Sequence, residues 1–387
     1  MSDTHVEVSR EAPGSAVRGS CGGFVLGLMA LVGAVVLLAW NERRSVTRDR
    51  ILDAGSRVVV TAPADRIDPA LEGKLVHVSG KATTTGVLHD RELRVAEGVL
   101  RLRRTVEMYQ WGESQGETTR HREADGTTVR RTTWHYSKGW NSRLVASSSF
   151  KQPKGHENPA AMPLPSIHAE AENAFLGPHR LTRSLLAEID TWERVETPNM
   201  SGLPAGIRER ARWVDGKVFI GKDPGDPEVG DARAWVEVVR PLVVSVVSCQ
   251  SGGTLAPYRP DGGEGLELLE VGTLDAPEMF RRARQRNVWL TWGLRLGGGL
   301  LMWMGFGLVL QPVAMLASWV PLLGELVAIG VGLVALVLAS LATTAVVASA
   351  WLWNRPWLAA GGAAAAILAV VVLLAMRRRS RTRPALA

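Results

Sequence analysis

Two parts of this chain are too apolar for water, and the part between them is too polar for lipid. Residues 288–376 are almost uninterrupted apolar and small residues, followed by Arg377, Arg378, Arg379, Arg381 and Arg383. A shorter apolar run covers residues 22–40, and the intervening segment, residues 42–286, is dense in charge. A wholly water-soluble fold is therefore excluded. The overall 46% hydrophobic content conceals this, because it averages residues that belong to two different solvents.

Span lengths follow from helix geometry. Residues 326–353 are 28 residues without a charge, and residues 357–376 are another 20. At about 1.5 Å per residue each matches or exceeds a hydrocarbon core of roughly 30 Å. Residues 288–310 make a third span and carry one charge, Arg295. Eight of the 14 tryptophans lie in or beside the apolar runs, mostly at their ends, where an interfacial belt belongs. The first run competes with a cleaved signal peptide. Ala39 is preceded by Leu37 and Leu38 where a cleavage site needs small residues, and the run is long, so a retained anchor is expected. The stretch 311–324 is short and holds Pro312 and Pro321, which suits an interfacial or re-entrant segment.

The expected fold class is an α+β membrane protein with four transmembrane helices and a large β-rich extramembrane domain inserted between helices 1 and 2. Its plan is a disordered tail over 1–21, a helix over 22–41, the domain over 42–287, helices 2–4 within 288–376, and a basic tail over 377–387. The Arg-rich tail places the C-terminus in the cytoplasm, which puts the N-terminus there too and the domain on the opposite face. Arg43, Arg44, Arg48 and Arg50, with Arg281, Arg282, Arg284 and Arg286, oppose that assignment, but long domains translocate largely regardless of charge. Arg outnumbers Lys 38 to 7, which points to a GC-rich bacterial genome and an inner (cytoplasmic) membrane. The net charge of +7 then reflects membrane-surface chemistry, because no nucleic-acid motif accompanies it.

Within the polar segment, period-two alternation marks strands. It runs through residues 74–80 and returns at 100–103 and 233–239, while residues 83–85 continue in β-formers and 106–111 mix aromatic and apolar residues. Residues 242–249 form an apolar strand that ends at Ser251-Gly252-Gly253 and returns through 254–258 as a hairpin. Helical patterns are fewer, at 179–192 and at 276–286, the second leading into a membrane span.

These strands and spans carry a family likeness. Glu72-Gly73-Lys74-Leu75-Val76-His77-Val78-Ser79-Gly80, then Val106-Glu107-Met108-Tyr109-Gln110-Trp111, resemble the transmembrane protein 43 (LUMA) family. Gly155-His156-Glu157-Asn158-Pro159, Pro227-Glu228-Val229-Gly230-Asp231, Thr291-Trp292-Gly293-Leu294-Arg295 and Trp351-Leu352-Trp353-Asn354-Arg355-Pro356 follow in order. The resemblance implies four spans with a large domain between the first and second, self-association and a scaffold-like role. In animals it implies the endoplasmic reticulum and inner nuclear membrane, with lamin and emerin as partners, and those partners do not carry over to a bacterial chain. It supplies no catalytic residue.

A search for chemistry finds none. The eight histidines include no His-x-x-x-His pair, Cys21 and Cys249 fall on opposite sides of the first span, and neither a phosphate loop nor a nucleophile elbow is present. His156 and Glu157 read as turn chemistry before they read as an acid–base pair. Asp223, Asp226, Glu228 and Asp231 miss the EF-hand spacing. No cofactor and no metal are therefore expected. Inside the membrane, Arg295 lies about 10 Å deep, a costly position unless it snorkels or pairs, and Glu42 at the same face is its best partner. The expected function is a non-enzymatic scaffold that contacts lipids, self-associates as a homo-oligomer and organises protein partners of unknown identity. The alternative is a ligand-sensing or transport-associated protein with the β-rich domain as binder.

Overall fold

The structure is a computed structural model, and it describes residues 3–11, 15–122, 128–196, 199–259, 263–317 and 324–353. Along the chain its strands begin with β1 (Asp3–Glu11), β2 (Val60–Thr61), β3 (Leu75–Thr84), β4 (Leu88–Asp90), β5 (Val95–Glu97) and β6 (Arg101–Arg122). Then come β7 (Thr128–Asn141), β8 (Ile167–Glu170), β9 (Ala174–Leu176), β10 (His179–Leu181), β11 (Glu193–Arg194) and β12 (Ala211–Val214). The last are β13 (Lys217–Ile220), β14 (Ala232–Val239), β15 (Val243–Ser251), β16 (Thr254–Ala256) and β17 (Leu268–Val271). The helices are α1 (Ser15–Val58), two short ones, α2 (Arg183–Ala187) and α3 (Ala205–Arg208), and two long ones, α4 (Ala276–Ala317) and α5 (Gly324–Trp353). Contacts divide the chain into two units, Met1–Pro13 with Ala54–Arg281, and Gly14–Asp53 with Arg282–Ala387.

The first unit holds two large sheets. One has eight strands in the order β1-β7-β6-β14-β13-β12, with β8 added to β6 and β11 to β14. The other has seven, in the order β17-β15-β16-β10-β9-β3-β2, and β15 also pairs with β3. Alternation places the core of the first sheet. Leu102, Arg104, Val106, Met108 and Gln110 of β6 are buried, as are Ala232, Ala234, Val236 and Val238 of β14, while the residues between them are mostly half-buried. β15 has a different pattern. Val244 to Ser248 are all buried, so this central strand of the second sheet is covered on both faces. Val76, Val78, Leu100, Leu176, Leu185, Ile189, Val244 and Val246 fill the core beside it.

The second unit is helical. Among the described residues three helices are long and apolar enough to cross a membrane, Gly22–Val58, Ala276–Pro312 and Gly330–Trp353. α1 and α4 run antiparallel, close enough that a Cβ at Gly27 would lie 2.9 Å from the carbonyl oxygen of Gly305. Ala34, Leu38, Met302 and Ala339 form the buried seam. Phe24, Met29, Val32, Val36, Leu296 and Leu341 face outward, the pattern of helices whose solvent is lipid.

Several boundaries differ from the sequence reading. Residues 3–11, expected in a disordered tail, form β1, because β7 offers an edge whose amides and carbonyls this Val-alternating segment satisfies. α1 begins at Ser15 and continues past residue 41 to Val58, since the charged stretch after the apolar run is itself rich in helix formers. Residues 179–192 are not one helix. His179–Leu181 is claimed by β9 and β16, and Thr182 then caps a five-residue helix by accepting the Leu185 N–H at 3.4 Å. α4 does not stop at residue 310 but passes through Pro312 to Ala317. The expected fourth span, residues 357–376, and Arg377, Arg378 and Arg379 lie outside the described residues, as does part of the 311–324 segment.

Candidate functional site

β6 is the longest strand, and most of its distal half pairs only with β7. Its pairing with β14 ends at Met108, which pairs with Ala232. The next polar groups on that edge would be orphaned, and two loops take them over. Tyr109 N–H donates to the Asp231 carbonyl at 2.7 Å, and Gly230 N–H donates back to the Tyr109 carbonyl at 2.9 Å. Two residues on, the Asn158 side chain substitutes for a strand. Its Oδ1 accepts the Trp111 N–H at 2.8 Å, and its Nδ2 donates to the Trp111 carbonyl at 2.9 Å and the Val145 carbonyl at 3.2 Å. One side-chain amide thus closes a ladder that the backbone leaves open.

The motif segments at 106–111, 155–159 and 227–231 therefore meet at the root of the β6–β7 hairpin. Gly230 has φ +99°, and a Cβ there would sit 3.2 Å from Pro159 Cγ, so the two loops touch and glycine is required at their contact. Asp231 is buried, and its carboxylate accepts the Glu228 N–H at 2.9 Å, which closes the Pro227–Asp231 turn around Val229. Gln110 is buried as well. It accepts the Val145 N–H at 2.8 Å and donates to the Arg143 carbonyl at 3.0 Å. Glu107 pairs with Arg233 at 2.6 Å, whose guanidinium lies over Trp140, 4.4 Å from the ring centroid. Val106 and Met108 point into the core between these polar residues.

On the neighbouring face, rings pack on rings. His156 is buried, stacks on Tyr136 at 4.0 Å between centroids, and meets Trp111 edge-on at 4.7 Å. Phe150 closes the cluster at 5.9 Å from Tyr136. The Tyr136 hydroxyl donates to Glu113 Oε2 at 2.7 Å and accepts the Gln152 N–H at 3.0 Å. Burial, reinforced by the Glu113 carboxylate, pushes this phenol up to about 12, so it stays a donor at any physiological pH. Glu157 does not join His156. It faces solvent, accepts the Gly155 N–H, and is held below the usual carboxylate range by that bond, so the two form no acid–base pair. Among the described residues no group of three His, Cys, Asp or Glu side chains is arranged to hold a metal ion.

The helical unit has its own polar site. Arg295 Nε and Nη2 donate to Glu42 Oε1 and Oε2 at 2.7 and 2.9 Å, a fork on a carboxylate that is almost fully buried. The guanidinium also lies 4.8 Å from the Trp292 ring centroid. Beside it Asn41 donates to the Thr291 carbonyl, and Arg44 bridges Asn287 and Thr291, each at 3.1 Å. Sequence reasoning found Glu42 and Arg295. It did not find Asn41, Arg44 or Asn287, which carry no signal until α1 and α4 are placed in register. It also missed Tyr136 and Trp134, although Thr132, Trp134 and Tyr136 alternate as strand residues do.

Comparison with known proteins agrees across nearly the whole chain. The family model for Transmembrane protein 43 matches residues 108–356. Transmembrane protein 43 of Rattus norvegicus is 33% identical over 370 residues, 92% of this chain and 91% of the relative. The Homo sapiens protein is 32% identical over 366 residues, 91% and 90% of the two chains. The Drosophila melanogaster homolog is 30% identical over 349 residues, 87% and 90%. No solved structure matches.

Proposed function

The chain belongs to the transmembrane protein 43 family, and on that footing we propose that it is a non-enzymatic membrane scaffold. The carrying observation is the hairpin root. There the motif residues bond to one another and to backbone, and His156, Trp111, Tyr136 and Phe150 fill each other's contact surfaces instead of lining a cleft. What this arrangement holds out is a long strand edge, which suits protein contacts. Self-association is part of the proposal. Gly298 and Gly305 are used within the chain against Leu38 and Leu31, whereas Gly293, Gly297 and Gly307 meet nothing within 4 Å among the described residues. Such positions let a second copy's helix approach closely.

α1, α4 and α5 cross the bilayer in this reading, and residues 357–376, which lie outside the described residues, make a fourth crossing, so that both termini are cytoplasmic and the domain is on the opposite face. The Arg-over-Lys usage keeps a bacterial cytoplasmic membrane as the proposed location. The ligand-binding alternative has one observation in its favour, a cleft of about 500 Å³ lined by Glu172, Arg180, Thr182, Arg183 and Thr254. Mass measurement of the purified protein in nanodiscs across a dilution series tests the scaffold reading. Dimers or larger species that persist on dilution are expected, and a monomer at every concentration would overturn it.

A further inference from the structure

β1 adds to the outer edge of β7 in continuous antiparallel register, from Asp3 opposite Tyr136 to Glu11 opposite Thr128. Its side chains show what that edge selects. Asp3 and Glu7 are four residues apart and so point to one face. Glu7 accepts the Trp134 indole N–H at 3.0 Å and faces Lys151 Nζ at 3.5 Å, while Asp3 lies 3.3 Å from His156 Nε2. The indole hydrogen bond holds the Glu7 carboxyl below its ordinary range. β7 and the loop after it thus form a ledge of donors and cations beside the backbone edge that β1 pairs with.

Chain order sets a limit on this arrangement. β1 precedes α1 and β7 follows it, so when α1 crosses the bilayer, as the proposed function has it, the two strands emerge on opposite faces. Only residues 12–14 separate β1 from α1. Three residues reach about 11 Å, against a hydrocarbon core of roughly 30 Å. In the inserted protein β1 therefore leaves β7. The distal β6–β7 ribbon is then two-stranded, a form that is marginal in water, and its edge presents unpaired amides and carbonyls.

We propose that this edge of β7, with Trp134, Lys151 and His156, is a docking site for an extended acidic segment of another polypeptide on the domain's side of the membrane. The partner adds as an antiparallel strand and places two carboxylates, four residues apart, where Asp3 and Glu7 lie. Backbone pairing supplies affinity, and the carboxylates supply specificity and register.

The test uses the full-length protein in nanodiscs and a fluorescent nine-residue peptide with the β1 sequence. Saturable binding is expected. It should weaken about tenfold or more for a peptide carrying Asp3→Lys and Glu7→Lys, and likewise for the native peptide on Lys151→Glu protein, since charge-assisted bonds are lost. Topology is read in parallel. Cysteines replacing Ser9 and Glu209, each in a background without native cysteines, are labelled in sealed proteoliposomes by an impermeant reagent. Opposite faces with charge-selective binding support the proposal. Opposite faces with no binding, or with binding indifferent to the charge reversal, overturn the ledge and leave the spanning topology standing. Labelling on one face overturns both, because β1 then fills the edge in its own chain.

Discussion

Replacing Arg295 with Leu tests how the first two membrane helices are held together. Glu42 is 1% exposed and accepts two hydrogen bonds from Arg295, one on each oxygen, so the substitution strands a carboxylate at the helix seam. Breaking a fully buried pair costs about 3–5 kcal/mol. The Arg295 side chain keeps 24% of its exposure, so water at the interface relieves part of this, and about 2–4 kcal/mol is the expected loss. Glu42→Gln should cost less, about 1 kcal/mol, because the amide is neutral and still accepts one bond from Arg295. In the double variant no carboxylate is left to strand, and the loss should fall short of the sum of the singles by about 1–2 kcal/mol. Thermal unfolding of the four proteins in one detergent, followed by helical circular dichroism, gives the cycle. Strict additivity would refute the pairing, because a snorkelling arginine and an independently solvated glutamate share no energy.

Other expectations concern the β-rich domain. Asn158→Ala removes three hydrogen bonds at the hairpin root and should lower stability by about 2–4 kcal/mol, while Asn158→Asp, which keeps the acceptor but loses the donor, should fall between; unfolding midpoints in the full chain rank them. Arg104→Met should cost about 3–5 kcal/mol, because Asp90, paired with Arg104 at 2.6 Å with both side chains fully buried, loses its counter-ion; adding Asp90→Leu should recover most of that loss, and no recovery would refute the pairing argument. His179 is fully buried, and burial pushes its imidazole below its ordinary value. The unfolded chain then binds a proton that the folded chain refuses, so this contribution is complete above about pH 6.5 and falls as the pH drops toward the folded value. The wild-type unfolding midpoint should therefore decline more steeply between pH 7 and 5 than that of His179→Phe, and parallel curves would refute the assignment.

Much of the architecture was legible in the residues because lipid and water impose demands that single segments must meet alone. An uncharged run of 28 residues, or alternation such as that of residues 233–239, declares its solvent without reference to any neighbour. Glu42 and Arg295 could be matched for the same reason, since depth in a bilayer is a coordinate that sequence position supplies. Wherever the deciding partner was remote in the chain, the residues were silent. Residues 3–11 have too little apolar content to organise themselves, and only the β7 edge makes them a strand. His179–Leu181 keeps a helical look until β9 and β16 supply the bonds that a helix would otherwise have made. The hairpin root brings together residues 107–111, 155–159 and 227–231, and its deciding contact, one asparagine amide closing a backbone ladder, has no local periodicity to announce it. Spans and strands answer to solvent and to period, which are local. Register, loop docking and the edge left open depend on which distant backbone groups find each other, and that was decided only by the tertiary fold.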